Sequence, residues 1–81
     1  MENIELAVEI IDFSTEFHLF SNSENMKSEN IAKQLNESWF VEHLIHEFII
    51  KAKYKRNMDF NRLKKLLLAL EKVRLDLEYD V

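Results

Sequence analysis

Glycine, proline and cysteine are all absent from the 81 residues of this chain. Without cysteine, disulfide bonds are excluded and the redox environment leaves no mark on the sequence. At average usage, the joint absence of glycine and proline has a probability of about one in 30,000. Glycine serves backbone positions with positive φ and proline interrupts helices, so a chain without either has little need of tight turns. The composition therefore predicts an almost entirely helical protein.

Long apolar runs and an early basic segment are also missing. The longest purely apolar run covers 66–70, far below the length of a membrane span. No basic residue precedes Lys27, whereas a secretory signal combines a basic start with an apolar stretch. These absences predict a cytoplasmic protein that does not insert into membranes. The mass of 9.8 kDa leaves room for a single helical domain over 1–81, and chains this short often gain stability by association.

Charge is divided unevenly along the chain. Residues 1–47 include ten acidic and two basic residues, whereas 48–81 include nine basic and five acidic residues. The net charge of −4 therefore combines an acidic first half with a basic second half. Such a separation improves solubility, and it can also direct one end of a protein toward a charged partner.

Apolar residues recur at helical spacing in four segments. They predict a compact all-α bundle of three to four antiparallel helices, at about 4–20, 24–35, 38–56 and 59–79. Residues 4–10 also alternate at period two, as a strand would, but the helical period extends through Phe20. The residues expected to face the core are Leu6, Ile10, Phe13, Phe17, Phe20, Phe40, Val41, Leu44, Ile45, Phe48, Ile49, Ala52, Leu63, Leu66, Leu67, Leu70, Val73 and Leu77.

Polar residues mark the expected helix ends. Ser21 and Glu24 have the spacing of a capping box, and Asp59 is expected to be the N-cap of the last helix. Between the second and third helices, Asn36 can adopt a left-handed conformation and Ser38 can act as a cap. We therefore expect a break there. The alternative is one long helix over 24–56 with two apolar faces.

Three of the predicted helices carry a second apolar stripe away from the core. On the last two helices its members are Trp39, His43, His46, Ile50, Tyr54, Leu68 and Leu75. On the first helix they are Ile4, Val8, Ile11, Thr15 and Leu19. Organised exposed patches usually mark contact with another chain, so the stripe predicts a partner surface, most simply that of a homodimer. The alternative is that short helices of the same chain cover both sides of a central helix.

The first helix also presents an acidic stripe between its two apolar faces, formed by Glu5, Glu9, Asp12 and Glu16. Like charges at i,i+4 spacing destabilise a helix by about 0.2–0.5 kcal/mol per pair. A basic partner would offset that cost, so the acidic stripe is a candidate partner-binding surface. The alternative is that it is simply the solvated face of the helix.

A basic cluster surrounds the turn between the last two helices. Its members are Lys51, Lys53, Lys55, Arg56, Arg62, Lys64 and Lys65. The cluster suits phosphates or an acidic protein surface, although a solvated turn that compensates the helix dipole also accounts for it.

The segment before the third helix resembles the first helix and turn of helix-turn-helix DNA-binding domains. In that family an alanine, a leucine three residues on, a turn residue and a serine open the recognition helix, as Ala32, Leu35, Asn36 and Ser38 do here. The resemblance implies contact with DNA through 31–45. The family pattern also expects an aliphatic residue near position 42, where this chain has glutamate, and no Lys or Arg lies between 38 and 50.

Catalytic and metal-binding patterns are weak. Glu42, His43, His46 and Glu47 have i,i+3 and i,i+4 spacings that suit one side of a zinc site. Their order differs from the zinc protease signatures and from the Glu-x-x-His repeat of di-iron bundles, and solvated Glu/His pairs are far commoner. No glycine-rich phosphate loop or Ser-His-Asp spacing is present. We therefore expect no metal, no cofactor and no enzymatic activity.

These features predict a small regulatory or inhibitory protein, of a kind that suits bacteria and phages, which acts by binding a partner protein. The expected binding surfaces are the acidic stripe and the apolar stripe, together with self-association into a homodimer. The alternative is a nucleic-acid-binding protein that uses the basic cluster and the helix-turn-helix-like corner at 31–45.

Overall fold

A computed structural model of the chain describes residues 2–20 and 26–79. Within these residues it contains four α-helices and no strand: α1 (Asn3–Glu16), α2 (Ser28–Gln34), α3 (Ser38–Ala52) and α4 (Phe60–Tyr79). The predicted all-α fold is confirmed, and the strand alternative for 4–10 is wrong because these residues lie in α1. The predicted break is also confirmed, since 35–37 lie outside both α2 and α3.

Side-chain contacts establish the directions of the helices. The Asn3 amide donates to Asn36 Oδ1 at 3.2 Å, so the start of α1 lies beside the end of α2. Glu16, at the end of α1, pairs with Arg62 near the start of α4. The short connection at 53–59 returns α4 along α3, against which it packs. Successive helices therefore alternate in direction, and α1 packs against both α2 and α4.

Aromatic rings join α1 to α3 at the centre of the core. The ring of Phe48 lies 6.0 Å from that of Phe13 and 5.7 Å from that of Phe20, edge-on in both cases. Phe13 and Phe48 are fully buried. The expected core residues are buried or partly buried with one exception, Ile49, which is 44% exposed. Its assignment to the core is wrong because it faces a groove between α3 and α4 that neither α1 nor α2 covers.

The second apolar face of α1 is partly covered within the chain. Leu19 is buried and Ile11 packs against the core, whereas Ile4 and Val8 remain exposed. The short helix α2 lies along α1 and buries Ile31. Part of this second apolar face is therefore buried by other residues of the same chain, as the alternative interpretation expected.

The first helix ends four residues earlier than predicted, at Glu16. The N–H of His18 donates to the carbonyl oxygen of Thr15 at 3.3 Å, and that of Leu19 donates to the carbonyl oxygen of Ser14 at 2.9 Å. These two bonds form a Schellman motif, in which glycine usually occupies the left-handed position. Here His18 occupies it, with a φ of 51°. The lack of glycine therefore does not exclude a left-handed helix end.

The second helix begins at Ser28 rather than at 24. Lys27 precedes it with an extended backbone, at a φ of −105° and a ψ of 131°. The predicted capping box of Ser21 and Glu24 lies outside the described residues.

The turn between α2 and α3 forms without the predicted left-handed residue or serine cap. Glu37 is the N-cap of α3, so Ser38 is the first helical residue and its predicted capping role is wrong. Asn36 is not left-handed, because His18 alone has a positive φ among residues 2–20 and 26–79. The N–H groups of Asn36 and Glu37 instead bond to carbonyls three residues back, as in a 3₁₀ turn.

The third helix ends at Ala52 rather than at 56. The next three N–H groups bond back three residues in a tight turn, and Met58 is buried just beyond it, which returns the chain to the core. The predicted N-cap of α4 is confirmed, because Oδ1 of Asp59 accepts a hydrogen bond from the N–H of Arg62 at 3.1 Å.

Candidate interaction surface on α3 and α4

The predicted apolar stripe of the last two helices lies on the surface. Its apolar and aromatic members range in exposure from 41% at Leu75 to 82% at Tyr54, and its two histidines are also exposed. The full set is Trp39, His43, His46, Ile50, Tyr54, Leu68 and Leu75. Within 2–20 and 26–79, no other segment covers these side chains.

An apolar groove runs between α3 and α4 beside this stripe. It encloses a volume of about 410 Å³. The groove is lined by Ile45, Ile49, Phe60, Leu63, Lys64, Leu67, Leu68 and Glu71. Phe60 is 58% exposed and Leu68 is 61% exposed, so the groove is open to solvent. We use the name α3–α4 face for the groove residues together with the exposed stripe residues Trp39, Ile50 and Leu75 of the same two helices. The face comprises Trp39, Ile45, His46, Ile49, Ile50, Phe60, Lys64, Leu67, Leu68, Glu71 and Leu75.

The sequence did not predict three residues of the face: Phe60 and Glu71 belong to none of the expected sites, and Ile49 was expected in the core. Phe60 lies seven and eight residues before Leu67 and Leu68, and this spacing puts all three on one side of a helix. That spacing was the available signal. The sequence does not indicate that the turn at 53–59 leaves this end of α4 uncovered.

The other end of the groove is polar. A cavity of about 370 Å³ is lined there by Glu42, Ile45, His46, Glu71 and Arg74. It shares Ile45 and Glu71 with the apolar cavity, so the two form one continuous groove.

Arg74 organises this polar end. Its Nε donates to Glu71 Oε2 at 3.1 Å, and Nη2 donates to the other carboxylate oxygen, which makes a two-pronged contact. Its Nη1 donates to Glu78 at 2.8 Å and lies 3.9 Å from Glu42 Oε1 on α3. The hydrogen bond from Arg74 holds the pKa of Glu71 below the usual glutamate value of 4.5, and the hydrogen bonds to Glu71 and Glu78 raise the pKa of Arg74.

The acidic stripe of α1 is exposed but partly neutralised within the chain. All four of its members, Glu5, Glu9, Asp12 and Glu16, lie on the surface. Glu16 forms an ion pair with Arg62 of α4. Glu9 lines a cavity of about 210 Å³ together with Arg62 and Lys65. Half of the stripe therefore lies beside basic side chains of α4.

The basic cluster is spread over several surfaces rather than gathered in one patch. Lys51 lies 3.7 Å from Glu47 and 5.1 Å from the ring of Phe20. Arg62 pairs with Glu16, and Lys64 lines the apolar groove.

Of the remaining four basic residues, three lie in the connection between α3 and α4 and one lies on α4. Lys55 and Arg56 line a separate cavity at the end of α1, together with Tyr54. Lys65 lies beside Glu9, and Lys53 is exposed after the end of α3. The structure therefore does not bring the seven bases together.

The helix-turn-helix-like corner lies apart from these bases. Its first helix, α2, has seven residues and packs against α1. Lys51 lies 13 residues beyond Ser38, which corresponds to about 20 Å along α3. The part of α3 that would contact DNA at this corner therefore has no basic residue of its own.

No protein-family model, curated protein or solved structure matches this chain. Among residues 2–20 and 26–79, no three His, Cys, Asp or Glu side chains form a group that could hold a metal ion, and this includes the Glu/His set of α3. In the same part of the chain, no helix is both long and apolar enough to cross a membrane. The chemistry of the site is therefore inferred from its own residues.

Proposed function

We propose that this chain is a protein-interaction module whose main binding surface is the α3–α4 face. The observation that supports this proposal is the open groove, in which Ile49, Phe60 and Leu68 are each more than 40% exposed and line one cavity. Single exposed apolar residues are normal on a protein surface, but a contiguous apolar patch with a charged rim is typical of a protein-binding site. Trp39, which is 63% exposed on α3, is of the residue type most enriched among interface hot spots.

The acidic stripe has a secondary place in this proposal. Glu16 and Glu9 already lie beside cations of α4, and charges neutralised within the chain attract a basic partner less strongly. Glu5 and Asp12 remain available for such a contact. Regulation or inhibition would follow if the module occupied a surface that its partner needs for another contact.

Nucleic-acid binding through the basic cluster receives less support. Affinity for nucleic acid rises with the number of phosphates that cations neutralise at once. Here Lys51 and Arg62 each contact a glutamate. Lys64 and Lys65 line different cavities, and Lys53, Lys55 and Arg56 lie in the connection between α3 and α4. A single continuous cationic surface is therefore not formed by the described residues.

A photo-crosslinking amino acid tests the proposal. It is introduced at Leu68, on the α3–α4 face, and for comparison at Glu29, which is exposed on α2 and does not line that face. After irradiation of the producing cells, we expect several times more protein adduct from position 68 than from position 29, as read by denaturing electrophoresis and mass spectrometry. Equal yields at the two positions would contradict the α3–α4 face as the binding surface.

A further inference from the structure

Charges of opposite sign lie on either side of the middle of the α3–α4 face. Lys64 is exposed at the apolar end of the groove and makes no ion pair with the described residues. At the other end three glutamates, Glu71 among them, surround the single Arg74 and leave an excess of negative charge. The apolar residues Leu67 and Leu68 lie midway between Lys64 and Glu71 along the helix.

This arrangement is self-complementary under a two-fold rotation. The two-fold axis lies in the plane of contact between the two copies. It runs at right angles to α4 and passes over the midpoint between Leu67 and Leu68. Positions 64 and 71 are equally far from that midpoint, and so are 60 and 75. In an antiparallel pair of α4 helices, position 64 of each copy therefore lies opposite position 71 of the other, and the same holds for positions 60 and 75. Both contacts occur twice, as in an isologous interface.

We propose that the α3–α4 face is occupied by the same face of a second copy of this chain, with the two α4 helices antiparallel about the Leu67–Leu68 midpoint. This inference rests on the proposed function and names the partner. It brings Lys64 opposite Glu71 of the second copy, which shares Arg74 with Glu42 and Glu78 and so belongs to a group of net negative charge. It also covers Phe60, which is 58% exposed, with Leu75 of the second copy.

The size of the face suits such a dimer. The 20 residues of α4 span about 30 Å, and two adjacent helices are about 20 Å wide. The face therefore has about 600 Å² in projection, and the accessible area of a corrugated helical surface exceeds its projection. A standard interface buries about 800 Å² per partner, which is about one seventh of the 5764 Å² surface of the chain.

The first measurement is the molar mass of the full chain by light scattering after size-exclusion chromatography, over a dilution series. We expect twice the chain mass of 9.8 kDa at the higher concentrations and dissociation on dilution. A mass of 9.8 kDa at every concentration overturns the inference. In that case adducts to other proteins at Leu68 still support the proposed function, and their absence overturns both.

Charge exchange then tests the arrangement within the dimer. Lys64→Glu alone and Glu71→Lys alone each place like charges opposite one another twice, so we expect dimerisation at least about tenfold weaker. An equimolar mixture of the two single variants restores opposite charges at both contacts and should recover dimers. Lys33→Glu makes the same charge change on α2 and should have no effect.

The mixing result does not depend on the stability of either variant alone, because recovery of dimers shows that both are folded. A dimer that persists undiminished in both single variants, or a mixture that stays monomeric although both variants retain helical circular dichroism, overturns the antiparallel arrangement.

Discussion

The backbone N–H of Leu19 donates a hydrogen bond to the carbonyl oxygen of Ser14 at 2.9 Å, and this bond closes the end of α1. It holds the intervening His18 at a φ of 51°. This left-handed conformation costs a residue with a Cβ atom about 1–2 kcal/mol of conformational free energy, whereas glycine adopts it without that cost.

We therefore predict that His18→Gly raises the free energy of unfolding by about 0.5–1 kcal/mol, after the greater entropy of glycine in the unfolded chain is subtracted. Urea unfolding followed by circular dichroism measures the change. His18→Ala is the control, because alanine keeps the Cβ atom. An equal gain in both variants would assign the effect to loss of the imidazole rather than to the backbone.

Local spacing predicted the helices and the Asp59 cap, because amphipathic periodicity and capping depend on neighbouring residues alone. It did not predict the end of α1, since the usual signal for a Schellman motif is glycine and His18 replaces it here. The stripe that includes Trp39 and Leu68 was predicted as exposed for the same local reason. The groove was not predicted. The exposure of Ile49 and Phe60 depends on where α1 and α2 pack against the other two helices, and that packing is a long-range property of the fold.

The side chain of Ser14 is completely buried, and its hydroxyl has no hydrogen-bond partner among the described residues. An unsatisfied buried hydroxyl costs about 1–3 kcal/mol. We predict that Ser14→Ala raises the free energy of unfolding by about 1 kcal/mol, as measured by urea denaturation. Ser14→Thr, which keeps the hydroxyl and adds a methyl group to a closely packed site, should instead lower it. A loss on Ser14→Ala would show that the hydroxyl has a stabilising partner.

The ring of Phe48 lies between those of Phe13 and Phe20, at 6.0 Å and 5.7 Å. Its removal leaves a cavity at the contact of α1 with α3. We predict that Phe48→Ala lowers the free energy of unfolding by about 3–5 kcal/mol, and that Phe48→Leu lowers it by less because more of the volume is kept. Thermal and urea unfolding measure both. A loss below about 1 kcal/mol for Phe48→Ala would contradict the placement of this ring at the centre of the core.

The hydrogen bond from Arg74 lowers the pKa of Glu71 in the folded protein below its usual value of 4.5. A carboxyl whose folded pKa is depressed contributes stability above its unfolded pKa, and that contribution is lost as the pH falls through the folded pKa. We predict that Arg74→Gln raises the pKa of Glu71, as measured by carbon NMR of its carboxyl group. Stability above the unfolded pKa should fall, and the loss of stability on acidification that comes from Glu71 should become smaller, because the folded and unfolded pKa values then lie closer together. An unchanged Glu71 titration in the variant would show that the contact is not maintained in solution.

Ile49 and Val8 form a matched pair that tests the α3–α4 face. Both are β-branched aliphatic residues within helices, and each is 44% exposed, but Val8 lies on α1 and Ile49 lines the groove. Lysine at either exposed position should change the free energy of unfolding by no more than about 0.5 kcal/mol. Circular dichroism and urea unfolding check this expectation before association is compared.

If the groove is the contact surface, Ile49→Lys places a charge in the apolar centre of an interface, whereas Val8→Lys leaves that interface unchanged. We predict at least about tenfold weaker self-association for Ile49→Lys, seen as a monomer mass at concentrations where the unmodified chain and Val8→Lys are dimers. The reverse result, with Val8→Lys monomeric and Ile49→Lys dimeric, would transfer the interface to the exposed apolar residues of α1. If both lysine variants weakened self-association equally, added positive charge would oppose association wherever it lies. The groove would then not be identified as the contact surface.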